Sequence, residues 1–306
     1  MLLSARARPP KGLARGTFFS SSFLRSPQDA ERCEQVRAVP RFARIVRKLA
    51  TVSGIYKLYE KLLESEVRSD GRIPSHIAVI LDGNRRWARE EGVPIEVGYR
   101  EGARRVEDFL KWCYDLGVKT VTLYALSTEN LLRRKPEEIQ LLLGILREYL
   151  QKELQEGELA KRRVRVKAMG LLDMLPLDIA KGIRELERRT ESFTERFLNL
   201  AIAYGGRAEI VEAARKIAAD VLKGALKLED INEETFEKYL QTSHLPNPHP
   251  DLVIRTSGEV RISNFLLWQI AYSELVFLDV YWPEFRKIDF LRALRIYQKR
   301  NRRFGA

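Results

Sequence analysis

The sequence predicts an α/β protein with a central, mostly parallel sheet flanked by helices. From Arg72 onward, short apolar runs alternate with longer segments of helical periodicity. Near-continuous apolar strands separated by amphipathic helices are typical of a parallel sheet that is covered on both faces. No internal repeat and no clear linker follow residue 72, so we expect a single domain, residues 71–306, after an N-terminal helical extension.

The individual elements follow from apolar runs and from apolar spacings of three and four. Pro136 suits the first turn of a helix, and Gly117 suits a helix end. The predicted strands are 77–81, 120–126, 164–169, 198–203, 252–255 and 275–279. The predicted helices are 98–116, 136–156, 177–191, 207–223, 233–241 and 289–303.

Residues 1–40 form a basic segment that we predict to be disordered. Residues 1–28 hold five Lys/Arg and no acid, and they include Pro9-Pro10 and Ser20-Ser21-Ser22. An Arg- and Ser-rich, acid-poor composition also resembles an organellar transit peptide. A start codon placed too far upstream is a third explanation, and the sequence leaves all three open.

Residues 41–70 are predicted to form an amphipathic helical extension. Lys and Arg stand between apolar residues that recur every three or four positions: Ile45, Leu49, Val52, Tyr56, Tyr59 and Leu63. Such a helix could lie on a membrane surface or cover the entrance of an apolar site. Packing against its own domain is at least as good an explanation.

Charge, cysteine content and hydropathy argue against a nucleic-acid-binding protein and against a membrane-spanning one. The net charge is +12, but residues 1–70 carry 14 Lys/Arg against 7 Asp/Glu, so most of the excess lies there. After residue 72 we find no nucleic-acid motif and no basic face with stacking aromatics, so we expect no nucleic acid partner. The two isolated cysteines fit a reducing compartment, and we expect a cytoplasmic protein. The apolar stretch 262–282 contains too many polar residues for a membrane span.

A first candidate site begins where the strand 77–81 ends. Asp82 and Gly83 form a turn, and Arg85 and Arg86 follow at the start of a helix. Gly83 allows the backbone to approach a ligand closely, and a helix N-terminus favours an anion. Arginines bind phosphate oxygens, and Mg²⁺ prefers one or two carboxylates together with phosphate oxygens. A diphosphate site fits, although a simple helix cap with surface arginines is an equal alternative.

Two further segments carry polar residues. Ser127 and Asn130 follow the strand 120–126 and could orient a substrate or hydrogen-bond Asn84, although ordinary turn chemistry explains them as well. Arg255 and Arg261 are six residues apart across a Gly-containing turn, so both could reach one diphosphate. Because ligands bind at the carboxyl ends of parallel strands, these residues should meet Asp82.

Glu274 and Ser263 complete the candidate set. Ser263 could add a hydroxyl to the Arg255 and Arg261 group. Glu274 lies in an otherwise apolar stretch, where a carboxylate should be paired or bound to a metal. A structural salt bridge is the plain alternative for Glu274.

These motifs together resemble one known family. The segments HIAVILDGNRRWA, YALSTEN, LNLAIAYGGRAEIV, DLVIRTSGEVRISNFLLWQIAYSEL and the terminal RRFG are similar to the cis-prenyltransferases, the undecaprenyl and dehydrodolichyl diphosphate synthases. The resemblance runs from about Arg72 to Gly305, with the motifs in the family's order. The Asp-rich motif of trans-prenyl synthases is absent from the sequence.

The resemblance implies a reaction and a set of site residues. Isopentenyl diphosphate would be added repeatedly to an allylic diphosphate primer (farnesyl or geranylgeranyl diphosphate), giving a long-chain Z-polyprenyl diphosphate that serves as precursor of a glycosyl carrier lipid. Mg²⁺ would be held by Asp82 with Glu274, and the family is usually dimeric, so a homodimer is implied. The implied catalytic residues are Asp82, Asn84 and Asn130. The implied substrate-binding residues are Gly83, Arg85, Arg86, Trp87, Ser127, Thr128, Arg133, Arg255, Arg261, Ser263, Arg303 and Gly305.

The growing chain would need a hydrophobic substrate tunnel. Plausible walls are Trp87, Val106, Phe109, Leu123, Leu141 and Ile145. Three positions depart from the family: Ile95 stands at a usual arginine, Tyr99 at a frequent histidine and Leu131 at a frequent tryptophan. Arg100 or Arg104 could replace the missing primer-phosphate cation. A non-catalytic subunit of a heteromeric enzyme is the alternative, but such subunits typically lack residues equivalent to Asp82, Arg255 and Arg261.

Overall fold

The computed structural model describes residues 54–300, with side chains from Tyr56 onward. Three predictions therefore lie outside the described residues: the disordered segment 1–40, the first part of the helix predicted for 41–70, and the roles of Arg303 and Gly305.

The predicted central sheet is confirmed. Six strands pair in parallel throughout, in the order β3-β4-β2-β1-β5-β6. The four central strands are almost entirely buried because helices cover both faces, which explains their apolar runs. The strands are β1 His76–Ile80, β2 Thr120–Ser127, β3 Val164–Met169, β4 Arg196–Tyr204, β5 Leu252–Arg255 and β6 Glu274–Phe277.

Helices occupy nearly all the predicted segments. They are α1 Gly54–Asp70, α2 Asn84–Glu91, α3 Ile95–Asp115, α4 Thr128–Arg133, α5 Pro136–Glu156, α6 Glu158–Lys161, α7 Leu177–Thr190, α8 Gly206–Leu222, α9 Glu233–Glu237 and α10 Lys287–Arg300. Short 3₁₀ turns span Leu172–Met174, Leu228–Asp230 and Trp282–Glu284. The helix predicted at 98–116 begins three residues earlier because Pro94 already occupies its N-cap. The helix predicted at 233–241 is much shorter than expected.

The described part of the N-terminal extension packs against its own domain. Leu63 and Val67 of α1 are fully buried in the main hydrophobic cluster. Lys287 of α10 forms an ion pair with Glu64 at 2.6 Å. The opposite face of α1 exposes Leu58 and Leu62. Of the explanations offered for this segment, packing on the domain is therefore correct for the part from residue 56 to residue 70.

None of the helices within residues 54–300 has both the length and the apolar character that crossing a bilayer requires. The apolar stretch 262–282 forms irregular structure, the strand β6 and the start of a 3₁₀ turn.

Candidate active site

Asp82 lies two residues beyond the carboxyl end of β1, at the start of a tight turn. Gly83 has φ +108° and forms the N-cap of α2, a conformation that favours glycine. A Cβ at Gly83 would lie 2.6 Å from Cδ1 of Tyr281. The absence of a side chain at Gly83 therefore leaves room for Tyr281 of the same chain, and the approach of a ligand to this backbone stays a prediction.

Arg255 brings the two distant candidate motifs together. It is paired with Ile80 in the β1–β5 register, so both segments end at the same edge of the sheet. Nη2 of Arg255 donates to Oδ2 of Asp82 at 2.7 Å, and Nη1 donates to Oγ of Ser263 at 2.8 Å. The side chain of Arg255 is only 5% exposed. A buried guanidinium needs such a partner, which fixes its position beside Asp82.

Asp82 stays ionised in this environment. Burial alone would raise the pKa of its carboxyl, but the hydrogen bond and charge of Arg255, followed by the charge of Arg86, hold the pKa below its ordinary value. Thr256 helps to fix the backbone at Asp82, since its hydroxyl donates to the carbonyl oxygen of Asp82 at 2.7 Å. The site therefore presents a fixed carboxylate flanked by two cations.

A second layer of charge surrounds this centre. Arg86 donates to Asp82 Oδ1 at 3.2 Å, to Ser257 Oγ at 2.7 Å and to Glu259 Oε1 at 2.8 Å. Glu259 also pairs with Arg261 at 2.6 Å. One carboxylate thus bridges two arginines that we expected to bind phosphate. Ser257 and Glu259 were not predicted, although both stand in the quoted RTSGE segment.

The polar centre opens into a cavity of about 910 Å³. Most of its walls are apolar side chains of the sheet and of the helices α3, α5 and α7, and its far end is lined by charged side chains, among them Glu107, Lys152 and Arg162. Three predicted wall residues line it: Val106, Leu123 and Ile145. The other three, Trp87, Phe109 and Leu141, are not among its lining residues; Phe109 instead stacks edge-on with Trp282 in the core.

Ordinary turn chemistry explains part of the structure around Ser127. Ser127 is the N-cap of α4, and its hydroxyl accepts from the backbone N–H of Asn130 at 3.0 Å. Asn84 donates to the carbonyl of Leu81 at 3.1 Å. No hydrogen bond links Asn84 to Ser127 or Asn130 within the described residues, so this alternative was wrong, whereas a role in orienting a substrate stays a prediction. Ser127 and Asn130 nevertheless line the cavity, whereas Thr128 does not. The hydroxyl of Thr128 donates to the neighbouring carboxylate of Glu129 at 3.2 Å.

One predicted arginine is displaced by a single position. Arg133 is exposed and does not line the cavity, whereas Arg134 does. Arg134 donates to the hydroxyl of Tyr99 at 2.8 Å and to Glu138 at 3.0 Å. Tyr99 also donates to Glu138, and burial, followed by that hydrogen bond, raises the pKa of the phenol above its ordinary value. Tyr99 is therefore a fixed neutral donor.

The proposed compensation for Ile95 was misplaced. Arg100 pairs with Glu96 and Glu148, and Arg104 pairs with Glu101. Neither arginine lines the cavity. Arg85 does line the cavity. Its Nη1 lies 3.6 Å from Oε2 of Glu138, the carboxylate that also pairs with Arg134.

Glu274 does not belong to the Asp82 centre within one subunit. It opens β6, and its register partner Leu252 opens β5, so it lies at the amino edge of the sheet, opposite Asp82. Arg300 lies 3.4 Å from its carboxylate. This arrangement agrees with the alternative, a structural ion pair.

Four buried polar atoms of cavity-lining residues have no hydrogen-bond partner within the described part of the chain. They are Oδ1 of Asn84, Nε of Arg134, Nε of Arg255 and the hydroxyl oxygen of Tyr114. Buried polar groups in native proteins are nearly always paired, so each exception calls for an explanation, such as a bound group. Three of the four atoms lie at the polar end of the cavity, which agrees with a ligand site at this end.

Comparison with known proteins agrees with this architecture. The sequence model of one protein family, the undecaprenyl diphosphate synthase family of prenyltransferases, matches residues 80–305. A geranylgeranyl-diphosphate-specific tritrans,polycis-undecaprenyl-diphosphate synthase of Methanopyrus kandleri is 52% identical over 264 residues, covering 86% of this chain and 96% of that protein. The same-named synthase of Pyrococcus furiosus is 51% identical over 250 residues, covering 82% and 93%.

Solved structures show the same fold. Lavandulyl diphosphate synthase from Lavandula x intermedia, in complex with dimethylallyl diphosphate, has a TM-score of 0.71 and 37% identity, covering 74% of this chain and 95% of that one. A probable undecaprenyl diphosphate synthase from Campylobacter jejuni has a TM-score of 0.62 and 31% identity, covering 77% and 100%. With the matching model spanning most of the chain, this protein belongs to the undecaprenyl diphosphate synthase family, the cis-prenyltransferases.

Proposed function

We propose that this cis-prenyltransferase adds isopentenyl diphosphate repeatedly to geranylgeranyl diphosphate and releases a long-chain Z-polyprenyl diphosphate. One observation carries the proposal: the paired Asp82 and Arg255 stand at the polar end of a long apolar cavity. An amphiphile with a diphosphate head and a prenyl tail matches that combination. The names of the Methanopyrus kandleri and Pyrococcus furiosus relatives, which specify geranylgeranyl diphosphate, support this choice of primer over farnesyl diphosphate.

The primer diphosphate would bind where α2 begins. Arg85 and Arg134 line the cavity and supply cations, Arg86 adds a third cation beside Asp82, and the backbone at Gly83 and Asn84 opens a helix. Arg134 would take the place of the arginine missing at Ile95. Its unpartnered Nε is a donor suited to a phosphate oxygen.

Isopentenyl diphosphate would bind at Arg255, Arg261 and Ser263. Glu259 holds Arg86 and Arg261 together at 2.8 and 2.6 Å. A diphosphate can replace this carboxylate because it offers more anionic oxygens to the same guanidinium groups. Glu259 therefore keeps the two arginines oriented until a substrate arrives.

The reaction exchanges one bond for another. The C–O bond at C1 of the primer breaks and its diphosphate leaves, and the alkene of isopentenyl diphosphate forms a C–C bond to that carbon. A proton then passes from C2 of isopentenyl diphosphate to an oxygen of the released diphosphate, which gives the Z double bond. Arg85 and Arg86 stabilise the departing diphosphate electrostatically. Asn84, with Ser127 and Asn130, would position the reacting groups for proton loss. The apolar walls exclude water from the allylic cation.

Magnesium fits the donor set through one carboxylate. Among the described residues, no group of three or more His, Cys, Asp or Glu could hold a metal by itself. Asp82 together with diphosphate oxygens is the type of ligand set that Mg²⁺ uses. Mg²⁺, when bound, supplies charge neutralisation for the leaving diphosphate. Participation of Glu274 finds no support within one subunit.

The non-catalytic alternative is not favoured. Asp82, Arg255 and Arg261 are all present, and the first two form a partly buried charge pair. A homodimer, with Arg303 and Gly305 reaching the partner's isopentenyl diphosphate site, stays a prediction, as does contact with a membrane surface.

Product analysis tests this function. Purified protein is incubated with Mg²⁺ and radiolabelled isopentenyl diphosphate, with geranyl, farnesyl and geranylgeranyl diphosphates in separate reactions. We expect long-chain products, formed fastest from geranylgeranyl diphosphate. Failure to incorporate label with any primer would refute the proposed function, whereas preference for farnesyl diphosphate would refute only the choice of primer.

A further inference from the structure

One side-chain hydrogen bond holds the loop that carries Arg261 and Ser263 against the start of α4. Nδ2 of Asn264 donates to Oε1 of Glu129 at 2.7 Å, across 135 positions of sequence. Both side chains are half-buried, and both residues line the cavity. Asn264 directly follows Ser263, and Glu129 directly precedes Asn130. The bond therefore joins two segments that we assign to different parts of the reaction.

The amide of Asn264 can make this bond in one orientation only. Its Oδ1 accepts from the backbone N–H of Arg207 at 2.9 Å, and its backbone carbonyl accepts from that of Gly206 at 2.8 Å. These two N–H groups open α8, where backbone donors have no partner inside the helix. Because Oδ1 is occupied by a donor, the NH₂ group has to face Glu129. Asn264 thus ties its own loop to α8 and to α4.

Glu129 is a strong acceptor for this amide because it stays ionised. Burial would raise the pKa of its carboxyl, but hydrogen bonds hold the pKa below its ordinary value. They come from its own backbone N–H and then from Asn264, Ser127 and Thr128. A hydrogen bond to an ionised acceptor is roughly twice as strong as one between neutral groups.

The loop around Asn264 has a costly backbone conformation. Ser263, Asn264 and Leu266 have φ of 49°, 64° and 44°, in the left-handed region that side chains other than glycine rarely adopt. Such residues keep this conformation only where the surrounding structure fixes them. The bonds of Asn264 to α4 and α8 are part of that support, so losing one of them should shift the neighbouring Ser263.

We propose that Asn264 and Glu129 are positioning residues, which hold the isopentenyl diphosphate loop at a fixed distance from the segment 127–130. This inference rests on the function proposed above, because it concerns the placement of the second substrate. Ser263, next to Asn264, accepts from Nη1 of Arg255 at 2.8 Å. The Asn264–Glu129 bond therefore fixes the loop residue that completes the Arg255 group.

The position of this pair predicts a selective kinetic effect. Within residues 54–300, no hydrogen bond or ion pair joins Asn264 or Glu129 to the proposed primer cations Arg85, Arg86 and Arg134. Breaking the bond should therefore raise the KM for isopentenyl diphosphate and lower kcat, and leave the KM for geranylgeranyl diphosphate unchanged. A general loss of folded enzyme would lower the apparent kcat and change neither KM.

The substitution Asn264→Asp breaks the bond with the smallest change in shape. It keeps an oxygen for the N–H groups of α8 and turns the donor that faces Glu129 into a second acceptor. We expect the KM for isopentenyl diphosphate to rise roughly tenfold or more, as for loss of a charge-assisted hydrogen bond. The double variant Glu129→Gln/Asn264→Asp exchanges donor and acceptor, so it should bring this KM back toward that of the wild type.

Gly205 gives a second way to break the bond. A Cβ at Gly205 would lie 2.7 Å from Nδ2 of Asn264 and 2.9 Å from Oγ1 of Thr128. Gly205→Ala should therefore displace the amide and produce the same selective rise in KM. Its backbone φ of −160° is extended, so the substitution adds no backbone strain.

Asn232→Asp is the matched control. Asn232 is exposed and caps α9, where its Oδ1 accepts from the N–H of Thr235 at 2.9 Å. The substitution makes the same chemical change at another helix start, far in sequence from the proposed site residues, and should leave both KM values unchanged.

Initial rates of the first transfer to geranylgeranyl diphosphate give these constants, and circular dichroism and the melting temperature verify folding. If the wild type makes no transfer, the proposed function fails and this inference fails with it. If the wild type is active, equal changes in both KM values, unchanged kinetics of Asn264→Asp, or no recovery in the double variant would refute the positioning role alone. Should Asn264→Asp not fold, Gly205→Ala and the double variant decide: a normal KM in the first or a raised KM in the second refutes the role.

Discussion

Oδ2 of Asp82 and Nη2 of Arg255 are 2.7 Å apart, although 173 positions separate the two residues in sequence. The β1–β5 pairing brings them together, since Ile80 and Arg255 occupy the same register position. A carboxylate from one motif and a guanidinium from the other therefore belong to one site. Chemistry that requires a metal-binding acid beside phosphate-binding cations can take place there.

Replacement of Gly102 by alanine tests the role of Asn84. A Cβ at Gly102 would lie 2.2 Å from Oδ1 of Asn84, so the amide has to move. We expect Gly102→Ala to lower turnover by roughly tenfold or more because small misplacements near the reacting groups are costly. Gly144→Ala on α5 is the control: nothing lies within 4 Å of its Cβ, and it should keep full turnover.

Arg134 and the neighbouring Arg133 give a direct comparison of two adjacent cations. Arg134 lines the cavity, and Arg133 does not. Loss of a charge-assisted hydrogen bond costs about 1.5–3 kcal/mol, which corresponds to roughly 10–100-fold in affinity. Arg134→Ala should therefore raise the KM for geranylgeranyl diphosphate by that factor, while Arg133→Ala should change it little. Equal effects of the two substitutions would rule out the assignment.

Two histidines should make stability depend on pH. Burial lowers the pKa of His76 to about 3 and that of His244 to about 4. Below pH ~6.5 the unfolded chain binds protons that the folded chain does not. The free energy of unfolding should therefore fall as pH drops from 6.5 toward 4, approaching about 1.4 kcal/mol per pH unit for each histidine. The slope reaches this value gradually because each imidazole of the unfolded chain titrates over about one pH unit.

Chemical denaturation between pH 7 and pH 5 measures this slope. His244→Gln should remove about half of it, because one of the two contributing imidazoles is gone. A flat profile in the wild type, or an unchanged slope in the variant, would contradict the neutral state of His244 in the folded protein.

Membrane contact is tested by removing the segment before the described residues. A variant lacking residues 1–53 should bind liposomes more weakly and keep most of its activity in detergent. Truncation must stop before α1, because Leu63 and Val67 are buried in the core and burying such a side chain is worth about 1.5–3 kcal/mol. Unchanged sedimentation with liposomes would eliminate this segment as a membrane anchor.

The fold was accessible from the sequence because parallel strands leave a distinct pattern. Strands buried on both faces read as continuous apolar runs, as in β1 and β5. The meeting of Asp82 with Arg255 followed from the same topology, since carboxyl ends of parallel strands share one edge.

Several side chains could not be placed in this way. Which of Arg133 and Arg134 enters the cavity depends on the last residue of α4, and helix ends are uncertain by one or two residues. The packing of Gly83 against Tyr281 joins positions far apart in sequence, which no local pattern indicates. Glu274 is different: the strand predicted at 275–279 already put it at the amino end, away from Asp82.

Turnover of Asp82→Ala is the most direct test of the shared diphosphate site. With geranylgeranyl diphosphate, isopentenyl diphosphate and Mg²⁺, we expect at least a ~100-fold loss relative to the wild type, because a lost metal contact costs several kcal/mol of transition-state stabilisation. Asp178→Ala, which removes an exposed carboxylate on α7, should retain wild-type turnover. Near-normal turnover of a folded Asp82→Ala protein would contradict the account.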